Sequence, residues 1–216
     1  MAKSRLKPME ALTFDEGQLA NRLRELDKWQ ASVFAAACAQ RLLPLYRRFY
    51  QEGFSQEGFS EVHADVVSHS LDLLWRDLAR TTLSSRHLKR LIAQCTEQVP
   101  PDEDVRASRA QSLAQYSVIA VVYALTHRLN GEVQEAVWAA RQANEAIFFH
   151  VVNQYDIDLN VPGASERVDA DPTTQAELRR QAADLELLAS THDAVSALRQ
   201  IRSRSENSPV FNPEGI

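Results

Sequence analysis

Gln30 and Arg41 lie eleven residues apart in this 216-residue chain. On a continuous helix that is about three turns, so the two share a face, with Phe34 and Cys38 between them. Asp72 sits one step off an apolar stripe of Val67, Leu71, Leu74 and Leu78, next to Trp75. With Tyr46 these residues form a candidate polar cluster of Gln30, Arg41, Tyr46 and Asp72 between a second and a third helix. Two kinds of chemistry suit it. One is a small polar pocket between the second, third and fifth helices, the footing for a small enzyme. The other is an interhelical ion pair between Arg41 and Asp72 that fixes packing, because a charge beside an apolar stripe is costly to leave alone. The ion pair is the expected arrangement.

Other reactive residue types are scattered. The histidines at 63, 69, 87, 127, 150 and 192 include no pair at i, i+4, and no His-Glu-x-x-His pattern occurs. His192 falls in line with Leu188 and Val195, which predicts a buried histidine bonded to a neighbouring helix, or else a ligand or base inside a bundle. Cys38 and Cys95 have no second Cys or His at ligand spacing and are expected as free thiols. Asp156-x-Asp158-x-Asn160 begins like a calcium loop, but Val161 and Arg167 stand where that loop needs Gly and Glu. Phosphate loops, nucleophile elbows and paired-carboxylate motifs are missing. No catalytic residue, metal ligand or cofactor is therefore assigned.

The elements that must position these residues read as helices. Thr13 to Glu16 forms a capping-box pattern before Leu19, Leu23 and Leu26. A second helix, opened by a break near Asp27, is expected over 28–50, with Pro44 predicting a kink or an end. Glycines at 53 and 58 mark a loop over 51–59, and Ser60 is placed to cap a third helix. Leu88, Leu91, Ile92 and Cys95 give a fourth, stopped by Pro100 and Pro101. Asp102, Glu103 and Asp104 suit the positive end of a fifth helix, which closes at Asn130-Gly131. A sixth spans 132–153, a loop follows over 156–170, and Asp171-Pro172 opens a last helix running to about residue 202. Period-two alternation is not sustained anywhere. Together these predict an all-α antiparallel bundle of seven helices over 13–203, with flexible ends at 1–12 and 204–216.

The sixth helix carries apolar groups on two sides. Val133, Val137, Ala140, Ile147 and Val151 are the expected core face, while Trp138, Phe149 and Val152 fall on another, interrupted by Gln142 and Glu145. Large aromatics in a partly polar setting suit a protein partner or a homodimer, unless this helix is central and both sides are core.

A net charge of −5 argues against nucleic acid. The most apolar stretch, 116–125, is too short to span a bilayer. The N-terminal residues are not followed by an apolar run, so the expected location is the cytoplasm.

Trp29-Gln30, Phe34, Arg41, Pro44, Tyr46 and Phe49, followed by Leu71-Asp72-Leu73-Leu74-Trp75 and Val99-Pro100, resemble the signature of the YjaG-like proteins, domain of unknown function family 416. The resemblance spans roughly residues 20 to 210 and implies a helical, soluble bacterial protein with no biochemical activity to transfer. The chain departs from that signature at polar positions: Gln40 replaces a Glu, Leu45 an Asn, and Tyr116 an Asp. The expected role is a non-catalytic interaction or regulatory module, with the small enzyme and an immunity protein masking one partner as alternatives.

Overall fold

The computed structural model describes residues 11–53, 61–80, 82–100 and 109–212, and everything below concerns these. Nine α-helices and no strand occur among them: α1 Glu16–Arg24, α2 Lys28–Gly53, α3 Glu61–Arg80, α4 Ser85–Thr96, α5 Arg109–Asn130, α6 Val133–Gln154, α7 Ala164–Asp169, α8 Pro172–Ser190 and α9 Ala194–Asn207. The all-α class and the single core stand. The helix count rises from seven to nine because the loop over 156–170 contains α7 and the last helix is two.

Helix α2 is central. Its residues from Ala31 to Ala39 are buried on every side, the pattern of a helix surrounded by others rather than laid on a surface. Alanines at 31, 35, 36, 37 and 39 let neighbours approach closely, and α5 and α6 bring their own small residues, Ala114, Ala120, Ala124, Ala136, Ala139, Ala140 and Ala143. These three helices form the core. Around them α3, α8 and α9 pack on α2, α4 on α5, and α1 on α6.

Helix ends follow local chemistry. Asp15, not Thr13, caps α1, accepting from the Gln18 N–H at 2.9 Å. Asp27 caps α2 through a reciprocal pair: its carboxylate accepts from the Gln30 N–H, and the Gln30 side chain accepts from the Asp27 N–H, both at 2.8 Å. Gly131, at φ 78°, closes α5 with its N–H on the His127 carbonyl. Asp171 and Pro172 open α8 as expected.

Pro44 neither ends nor interrupts α2. Proline removes one N–H and crowds the carbonyls of the preceding turn. The missing N–H is the one the Gln40 carbonyl would accept from. Next to it, the Arg41 carbonyl accepts from the Val210 N–H at 3.1 Å, which docks the chain end beside the proline turn. Over 204–212 the chain end packs on the bundle: α9 extends to Asn207, Val210 and Phe211 are buried, and Phe211 stacks on His150 at 3.9 Å. At the other end, Leu12 is pinned by two hydrogen bonds to the Gln175 side chain. The readings made for 1–10, for most of the 51–59 loop, for the Ser60 cap, for the His63 side chain, for Pro101 and Asp102 to Asp104, and for 213–216 lie outside what is described. No described helix is long and apolar enough to cross a membrane.

Candidate functional site

Arg41 is buried on α2, yet its partners are not on α3. Its Nη1 donates to Asp184 at 2.8 Å, and its Nε and Nη2 lie 3.0 and 2.9 Å from one Glu177 oxygen, both carboxylates belonging to α8. Gln181 donates to the same Glu177 oxygen at 3.0 Å. Arg180 approaches the other Glu177 oxygen, and Arg204 of α9 approaches Asp184. The expected pairing of Arg41 with Asp72 is therefore wrong. Positions 177, 181 and 184 follow i, i+4, i+7 spacing, so α8 presents a polar stripe beside its apolar one. That spacing is the signal the sequence carries, set beside the apolar stripe of Leu178, Leu185 and Leu188.

Electrostatically this centre is closed. Burial alone would lower the Arg41 guanidinium, but Glu177, Cys38 and Asp184 raise it above its ordinary range, so it stays charged. Burial pushes the Asp184 carboxyl up, while Arg41 and Arg204 draw it back. The side chains of Glu177 and Asp184 are only 1% and 5% exposed. A cleft of about 210 Å³ over Arg179, Arg180, Arg204 and Ser208 leads toward it. Beside that cleft Arg180 donates to the carbonyls of Ser208 and Pro209 at 3.0 and 2.9 Å, tying the chain end down.

The remaining members of the expected cluster disperse. Gln30 serves the α2 cap and donates to the Leu188 carbonyl at 2.7 Å. Tyr46 is buried against Tyr50, ring centroids 4.7 Å apart, and burial raises its hydroxyl. Asp72 meets Arg202 of α9 at 2.9 Å and Arg76 at 2.6 Å. Among the described residues Gln30, Arg41 and Asp72 thus each bond to partners outside the expected cluster. His192 is exposed between α8 and α9 and not in the core, because the helix stops at Ser190 and restarts behind Asp193, whose carboxylate caps α9.

Two reactive-looking arrangements escaped the sequence. Ser32 Oγ lies 2.9 Å from His127 Nδ1, across 95 residues. The hydroxyl has one hydrogen, and the Lys28 carbonyl stands 2.8 Å away to take it. The serine oxygen then accepts from Nδ1–H, the reverse of what activates a nucleophile. Both residues are buried, and His127 is pushed down to about 4 by burial and by Lys28 and Arg128. Second, Asp77 is buried and accepts from the N–H groups of Thr82 and Leu83 and from Arg128, which holds the α3–α4 turn. The thiols are equally withdrawn, with burial raising Cys38 and pushing Cys95 up to about 11. Among the described residues no three His, Cys, Asp or Glu side chains converge where an ion could sit.

The surface is more open to use. On the α5–α6 hairpin Trp138 faces Tyr123 at 5.3 Å, and Phe149 faces Tyr116 at 6.4 Å. All four rings, with Ile119 and Val152, are half-buried. Trp138, Phe149 and Val152 therefore share a face, with α5 supplying the rest of it. Between α3 and α9 two adjoining hollows of about 520 and 320 Å³ run over Trp75, Leu78 and Leu198, flanked by arginines.

The fold and the signature place this chain in a class of helical proteins without assigned chemistry. A family model described as protein of unknown function (DUF416) matches residues 18–212, so the chain belongs to the DUF416 family. A crystal structure of a DUF416 family protein from Shewanella baltica OS155 has the same fold, with a TM-score of 0.73 at 20% identity, covering 88% of this chain and 93% of that one. Among curated proteins none matches.

Proposed function

We infer that this chain is a non-catalytic protein-interaction module whose contact surface is the aromatic face of α5 and α6. The observation that carries this is the pairing of Tyr116 with Phe149 and Tyr123 with Trp138 across the hairpin, all four rings half-buried. Aromatic groups fixed by their neighbours but still open on one side lose little freedom on binding and give up much water, which is why they anchor interfaces. The groups that could do chemistry support the same reading from the other side, since Ser32, His127, Arg41, Glu177 and both cysteines are buried and taken up internally.

The partner is a second copy of the chain. Two molecules of net charge −5 repel one another in general. A face of little net charge lowers that cost, and here Glu145 and Glu16 both lie against Arg141, at 3.2 and 3.1 Å. A two-fold axis through such a face sets identical aromatic rows against each other. Light scattering of the wild type is expected to give twice the 24.3 kDa chain mass. Phe149→Glu and Tyr123→Lys, checked for retained helicity by circular dichroism, are expected to give one chain mass. A monomeric wild type at high micromolar concentration, or folded variants that remain dimeric, would overturn the reading.

A further inference from the structure

The hollows between α3 and α9 belong neither to the buried charge centre nor to the aromatic face. Their floor is apolar: Trp75, Leu78 and Leu198, with Trp29 at one end. Val195 stands on the α9 side with 55% of its surface open, an apolar group that the fold leaves uncovered. The rims are cationic. Arg76 and Arg80 are one turn apart on α3, and Arg199 and Arg202 one turn apart on α9.

These four arginines are not equally engaged. Arg202 lies over the Trp75 ring at 5.9 Å and is held by Asp72 and Glu206, and Arg76 is held by Asp72. Arg80 and Arg199 are exposed, one on each rim, with no ion pair among the described residues. A chain of net negative charge thus keeps two unpaired cations on opposite sides of an apolar trough. Paired helices offer such a trough to a third helix, whose side chains seat between theirs. The unpaired rim charges then select the flanks of what enters.

We propose that the α3–α9 groove binds an amphipathic helix of a partner protein, with leucine-like residues in its apolar stripe and Glu or Asp on both flanks. Leu78, Val195 and Leu198 receive the stripe, and Arg80 and Arg199 pair with carboxylates on either side. A nucleic-acid strand suits the groove less, because Asp72 and Glu206 stand at one end and would face phosphates.

The test uses the full chain against a displayed library of helical peptides, with Leu, Ile or Phe fixed at i, i+3, i+7 and i+10 and every flank position randomised. Selected flanks are expected to be rich in Glu and Asp, and the winning peptides, made synthetically, to bind less tightly as salt rises. Arg80→Glu/Arg199→Glu is expected to weaken them about tenfold or more while its melting temperature moves by less than about 4 °C. Val195→Asp, at an exposed position, is expected to weaken them as well. Failure to recover any binder, winners with neutral or basic flanks, or binding unmoved by these folded variants would overturn the proposal. Tighter binding of a single-stranded RNA oligonucleotide than of the peptides would overturn it too. The aromatic-face variants Phe149→Glu and Tyr123→Lys should bind the peptides normally, so this test fails or succeeds independently of the dimer.

Discussion

Arginine does opposite work in two places in this molecule. Arg41, 2% exposed, is engaged through all three of its nitrogens by Glu177, Asp184 and Cys38. Arg80 and Arg199 lie in the open beside an apolar trough, with no ion-pair partner among the described residues. The first arrangement ties α2 to α8; the second leaves a groove charged along its edges. Burial with matched partners makes a charge part of the scaffold, and exposure beside apolar surface makes it available for recognition. The same contrast separates Ser32 and His127, closed within the core, from the aromatic pairs on α5 and α6.

The largest effect should come from breaking the buried centre. Arg41→Ala leaves two carboxylates buried without their main partner and should cost about 3–5 kcal/mol in urea unfolding. A loss under about 1 kcal/mol, the size of an exposed pair, would erase the contrast.

Next comes a pH dependence. Folded His127 is held neutral down to about 4, against an ordinary value of 6.5. Unfolded chain therefore takes up this proton first as pH falls. The stability tied to this residue is whole above pH 6.5, falls between there and about 4, and amounts to about 3 kcal/mol. His150, lowered by burial and Arg109, acts in the same direction. The variant His127→Asn keeps an amide donor toward Ser32 but cannot titrate, so its unfolding free energy should fall less across that window. An unchanged slope would show that the ring is not held neutral by its surroundings.

The smallest effect belongs to the groove. Arg80→Glu/Arg199→Glu should change unfolding free energy by under about 1 kcal/mol, because Arg80 meets only the C-terminal dipole of α3 and neither guanidinium has an ion pair among the described residues. A larger loss would mean that the rims hold the structure and are not free for a partner.

The sequence was informative where a signal was local. Asp171-Pro172 and Asn130-Gly131 mark helix ends that the structure has, and the period of apolar residues placed most helices. Gln30 has its explanation three residues away, in Asp27, as half of the reciprocal cap of α2, so its role is local and not part of an interhelical cluster. Arg41 posed a different difficulty. Glu177 and Asp184 are 136 and 143 residues distant, and no local rule says which helix α2 will meet. His192 was misplaced because apolar spacing continues across Thr191 to Asp193, while the capping chemistry of Asp193 stops and restarts the helix. The chain end looked mobile from its Ser, Asn and Pro content, but Arg180 and the Arg41 carbonyl hold it, and both lie far off in sequence.

A double-mutant cycle tests most directly the claim that the buried Arg41 charge is matched by α8 and not by Asp72 of α3. Unfolding free energies of Arg41→Ala, Asp184→Ala and the double variant should show a coupling of about 1–3 kcal/mol, whereas Arg41→Ala with Asp72→Ala should be additive within about 0.5 kcal/mol. Coupling of Arg41 to Asp72 rather than to Asp184 would contradict the account.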